Sequence, residues 1–120
     1  MNKIEKLGID LLKEYLNGKN RQFEKSPNKT FDLVVDGYNA EVKCKSNPYN
    51  QIDFISITEN QKNEISSDYI IFLVCNIDDP DNCEIYEFKS TRLNEIEPKT
   101  IVHYEYNKGK IDKLDLHRIN

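Results

Sequence analysis

Asp36-Gly37 stands between two β-rich runs, Phe31 to Val35 and Ala40 to Lys45. Asp-Gly in that setting is the strongest short-range signal for a tight β-hairpin, because the favoured two-residue turns need positive φ angles at both positions. Strand side chains alternate between faces, so the loop length decides which residues meet. With a two-residue loop Val35 pairs with Tyr38, and Asp32 falls across from Glu41. With a four-residue loop Asp32 pairs with Lys43. Either even loop places Asp32, Glu41 and Lys43 on one face. Phe31, Leu33 and Val35 then share the other face with Ala40, Val42 and Cys44. A three-residue loop would separate Asp32 from the other two.

The remaining elements follow from periodicity. From Lys3 to Asn17, the apolar residues Ile4, Leu7, Leu11, Leu12, Tyr15 and Leu16 recur at three- and four-residue intervals, which predicts an amphipathic helix ended by Asn17-Gly18. Arg21 to Lys25 reads as a short, edge-like strand. Ile52 to Ile57 alternates as a further strand. Thr58-Glu59-Asn60-Gln61 has the form of a capping box, opening a helix from about Glu59 to Ser66. Tyr69 to Asn76 is continuously apolar, as in a strand covered on both faces. Cys83 to Phe88 is another strand. Ile101 to Tyr106 and Ile111 to Leu116 read as a second hairpin around Asn107-Lys108-Gly109-Lys110.

The length of 120 residues suits a single domain, 1–120. No apolar run approaches the roughly 20 residues needed to cross a bilayer, and no signal-peptide h-region opens the chain, so a cytoplasmic location is the expectation. The three cysteines, Cys44, Cys75 and Cys83, lack metal-type spacing and read as reduced structural thiols. His103 and His117 have no partner at ligand spacing and read as structural or exposed. Tyr69, Phe72, Tyr86, Phe88, Tyr104 and Tyr106 read as sheet packing. The net charge of −4 counts against a protein that coats nucleic acid by bulk electrostatics. It leaves room for a site that binds phosphate through a metal and a few lysines, among which Lys29, Lys45 and Lys62 are candidates.

Two carboxylates opposed across a hairpin repel by up to about 1 kcal/mol unless a cation or proton lies between them. That arrangement suits Mg²⁺, which takes one or two carboxylates and leaves its other positions to water and phosphate. A lysine beside the metal can orient the attacking water and steady phosphorane charge. The plainer alternative is a solvated hairpin face in a chain with 32% charged residues.

Phe31-Asp32 followed by Ala40-Glu41-Val42-Lys43 resembles the signature of the PD-(D/E)XK nuclease superfamily, with Phe31 in place of the name-giving proline. The resemblance spans about residues 3–76. It implies an α/β (α+β) protein with a restriction-endonuclease-like αβββαβ core, a central mixed β-sheet flanked by helices, and extra C-terminal strands over 83–116. It also implies that Asp32, Glu41 and the Val42 carbonyl hold Mg²⁺ (or Mn²⁺), while Lys43 assists the nucleophilic water. A first-helix carboxylate, either Asp10 or Glu5, is a further ligand in many members. Gln61 and Lys45 are the expected substrate contacts. The expected activity is metal-dependent hydrolysis of phosphodiester bonds in DNA, by a homodimer if both strands are cut, with no membrane partner. A different class stands beside it: a nuclease-like module that no longer cleaves and binds nucleic acid or a protein.

Overall fold

The computed structural model describes residues 1–100 and 104–120. In chain order the elements are α1 (Lys3–Gly18), β1 (Phe23–Lys25), β2 (Leu33–Val35), β3 (Tyr38–Cys44), β4 (Phe54–Ile57) and α2 (Glu59–Asn63). After these come β5 (Ile70–Cys75), β6 (Glu84–Lys89), β7 (Lys99–Thr100), β8 (Tyr104–Asn107) and α3 (Lys108–Ile111). The main sheet has the order β1-β2-β3-β5-β6. It is mixed: β3 runs parallel to β5, and the other neighbours are antiparallel. A second sheet, β4-β8-β7, is antiparallel.

The β2–β3 hairpin has the two-residue turn, with Val35 opposite Tyr38. Asp36 and Gly37 both carry positive φ, 52° and 87°, matching the twist of the flanking strands. β5 is an interior strand, between β3 and β6. All six of its residues are buried, each large apolar side chain there contributing roughly 1.5–3 kcal/mol, which explains its lack of alternation.

Two hydrophobic clusters lie on opposite faces of the main sheet. On one face, Ile9, Leu12 and Leu16 of α1 pack over Leu33, Val35, Ala40, Val42, Phe72 and Val74. The other cluster joins Ile71, Leu73 and Phe88 to Ile55, Ile57, Tyr106, Ile111 and Leu114. That second face is therefore covered mainly by the small sheet and short helical turns. A central mixed sheet flanked by helices was expected; here the small sheet takes up most of one face because β4 pairs with β8 outside the main sheet. The region after residue 83 is part of this core, because β6 extends the main sheet and β8 completes the small one.

Other expectations need correction. Leu7 is 39% exposed, whereas Gly8 and Ile9 are buried. α1 thus turns a face centred on Gly8, Ile9, Leu12 and Leu16 to the sheet. Phe31 does not share a face with Leu33 and Val35. It packs in the opposite cluster, with its ring 4.7 Å from that of Tyr69. The parity changes at Asp32, whose amide donates to Ala40 O, the residue that already pairs with Leu33. Two residues against one is how a β-bulge reverses the alternation, so the two-residue loop does not pair Asp32 with Glu41 as expected; Asp32 shares Ala40 with Leu33 instead. The expected second hairpin around Asn107–Lys110 is absent. Asn107 instead caps α3 by accepting from the Gly109 amide, and 3₁₀ geometry continues over Asp112–Leu114. The second predicted helix is one α-turn, Glu59–Asn63, followed by 3₁₀ turns over Ile65–Ser67.

The thiols of Cys44, Cys75 and Cys83 are free. Tyr69, Phe72, Tyr86, Phe88 and Tyr106 are buried in packing, as expected. His117 is exposed beside Asp115, and His103 lies outside the described residues. No helix among the described residues is long and apolar enough to cross a membrane.

Candidate active site

A cavity of about 250 Å³ opens where β3 passes the end of β2, lined by Glu5, Asp32, Glu41, Val42, Lys43, Lys45 and Ser56, with Ile9 and Cys44. β3 supplies most of it. Glu41 and Lys43 sit beside Ile71 and Leu73 in the parallel register, so their side chains leave toward the small-sheet face. Asp32 arrives from the bulge. Its Oδ2 accepts from the Val42 amide at 2.9 Å, closing the gap left where β2 ends. In a strand, a residue's N–H and C=O leave along the same edge, so the Val42 carbonyl also faces the Asp32 side.

α1 contributes Glu5, which lines the cavity, and not Asp10, which is exposed and outside it. The choice between them depends on how closely α1 approaches β3. Gly8 permits that approach, since a Cβ there would collide with Cys44 Sγ and stand 2.8 Å from Ile77 Cδ1. Asn2 caps the helix through the Glu5 amide, and its side chain also donates to Glu5 Oε1 at 3.1 Å.

Gln61 joins the site from α2. It completes the capping box with Thr58, and its Nε2 donates to Glu41 Oε2 and, at 3.0 Å, to the Thr30 carbonyl. Lys43 Nζ donates to Glu41 Oε2 at 3.1 Å and to Gln61 Oε1 at 3.2 Å. Gln61 therefore serves as the cap and also braces Glu41 and Lys43; it is buried and is not among the residues that line the cavity. Tyr69 anchors the same turn by donating to the Gln61 carbonyl.

The electrostatics follow from burial. Glu41 is only 7% exposed. Desolvation, then the hydrogen bond and charge of Asp32, push its carboxyl up to about 8 against the pull of Lys43. Burial raises the Cys44 thiol to about 12, which removes it as a nucleophile. Burial also holds the Lys45 ammonium below its ordinary value. Lys29 is exposed and outside the cavity, and Lys62 lies over the Tyr104 ring.

Carboxylates on three elements around one cavity, two of them close enough to perturb each other, form an oxygen donor set of the kind a hard divalent cation takes. Among the described residues no three His, Cys, Asp or Glu side chains converge as a formed metal cluster. Asp32 is instead engaged by the Val42 amide and Glu41 by Lys43 and Gln61. Sequence reading missed Ser56, which had no local signal: it reaches the cavity only because β4 joins the small sheet.

No protein-family model, curated protein or solved structure matches this chain.

Proposed function

We propose that this chain is a metal-dependent phosphodiesterase of the PD-(D/E)XK type, hydrolysing phosphodiester bonds in DNA. The observation that carries the reading is the gathering of Asp32, Glu41 and Lys43 with Glu5 around one cavity, Asp32 coming from the bulge at the start of β2 and Glu41 and Lys43 from β3. With β4 set aside as a member of the small sheet, the order α1-β1-β2-β3-α2-β5, with antiparallel β1-β2-β3 and parallel β3-β5, is compatible with the αβββαβ core that the resemblance implies.

Asp32, Glu41 and the Val42 carbonyl would hold Mg²⁺ or Mn²⁺, with Glu5 within the same cavity. When bound, such a cation neutralises phosphate charge and acidifies water. Lys43, already hydrogen-bonded to Glu41, orients the attacking water and offsets charge building on the phosphate oxygens. Gln61 fixes both Glu41 and Lys43, so the acid and the amine keep a constant relation through the reaction. Glu41 would hold such a cation as the carboxylate, so binding would compete with its protonation.

Glu41→Ala should abolish Mg²⁺-dependent nicking of plasmid DNA while the circular dichroism spectrum stays native; nicking that survives removes the mechanism. If both strands are cut, the protein should elute as a dimer in gel filtration. The hydrogen bonds already satisfying Glu41 favour one second reading, a non-cleaving module that binds nucleic acid or a protein. It predicts no nicking and no rise in Tm on adding Mn²⁺, whereas a working site binds the cation in the folded state alone and is stabilised by it.

A further inference from the structure

Lys45 continues the alternation of Glu41 and Lys43 and lines the same cavity, about 7 Å further along the chain direction. Its surroundings are unusual for a lysine. The side chain is half-buried, and its Nζ lies 4.6 Å from the centroid of the Phe54 ring. Asp53 and Glu105 are within electrostatic range, but among the described residues Lys45 forms no ion pair and its Nζ no hydrogen bond. Ser56, two residues along β4 from Phe54, brings to the same cavity a hydroxyl without a hydrogen-bond partner among the described residues. A partly desolvated ammonium held by a ring, with carboxylates nearby but none in direct ion-pair contact among the described residues, is costly to the folded chain on its own. An anion arriving from solvent would offset that cost, and the neighbouring hydroxyl can donate to the same anion.

We propose that Lys45 Nζ and Ser56 Oγ form a second phosphate seat, which takes the phosphodiester adjacent to the one cleaved and so selects polynucleotide chains over single-phosphate esters. This deepens the nuclease reading and rests on it. Phe54 acts as the positioning residue: its ring keeps the ammonium at the cavity mouth rather than extended into solvent. The separation of Lys43 and Lys45 along β3 is of the order of the step between neighbouring phosphates on one strand. The seat therefore fixes which phosphate reaches Asp32 and Glu41.

The test measures binding of a short fluorescein-labelled DNA by anisotropy, with Ca²⁺ in place of Mg²⁺, over a range of salt concentrations. Lys45→Met should weaken binding about tenfold and lower the slope of log affinity against log salt by about one. Lys45→Arg should restore most of both. The same Lys45→Met change should raise the Tm of the unliganded protein by a few degrees, because an unneutralised half-buried charge is gone. Unchanged affinity and slope in Lys45→Met would overturn the seat while leaving the nuclease reading intact. Weaker binding with an unchanged slope would also overturn it, assigning Lys45 to packing on Phe54. If the wild-type protein binds no DNA at all, the nuclease reading fails first.

Discussion

Two stretches of this chain place a glycine between apolar runs, and they fold in opposite ways. Asp36-Gly37 makes a two-residue hairpin turn with both φ angles positive, while Asn107-Lys108-Gly109-Lys110 becomes the start of α3. The difference lies in what each turn can reach. At Asp36, the side chain accepts from Arg21 at 2.8 Å and from the Gln22 amide at 3.1 Å, so the turn is tied to the neighbouring segment. At Asn107, the side chain caps the Gly109 amide at 2.8 Å, and the Lys108 amide donates to Asp53 O. A glycine permits a turn; the polar groups around it choose which one.

Substitutions in the two stretches should separate them sharply. The largest effect is expected for Gly37→Val. A β-branched residue at φ 87° should cost about 2 kcal/mol, visible as a lower urea midpoint. The slackened hairpin should also lower DNA cleavage, because β3, which carries Glu41 and Lys43, starts directly after this turn. A stable, fully active Gly37→Val variant would show that the turn does not set the site. Asn107→Ala should cost about 1 kcal/mol through loss of the cap and leave cleavage unchanged, since α3 lies away from the cavity. A fall in activity there would mean that the small sheet transmits strain to Ser56.

The smallest effect concerns acid. The hydrogen bond from Arg21 holds the Asp36 carboxyl below its ordinary value. A group with a depressed folded pKa contributes stability above its unfolded pKa, and that contribution is lost as pH falls through the lowered folded value. Asp36→Asn should therefore make the urea midpoint slightly less sensitive to pH below about 4. Because Asp36 is exposed, the difference should shrink in high salt. An unaltered acid profile in the variant would leave the turn held by backbone geometry alone.

Much of the site was legible before any coordinates. The hairpin, the capping box at Thr58–Gln61 and the buried strand Ile70–Cys75 are all local patterns, in which neighbours within a few residues decide the conformation. What local pattern could not show is long-range. Phe31 changes face because of a bulge that only the Ala40 pairing reveals. The choice of Glu5 over Asp10 required knowing that Gly8 lets α1 settle onto Cys44. The false hairpin after Ile101 came from an alternation that either conformation can carry, and pairing of β8 with β4 settled it.

From Leu33 to Cys44 the residues carried their own instructions, because a turn with positive φ and a period-two pattern fix register through bonds a few residues apart. Ser56, Glu5 and Lys45 meet at one cavity for a different reason: two sheets and a helix must cover each other's apolar faces, and that packing is a property of the whole chain.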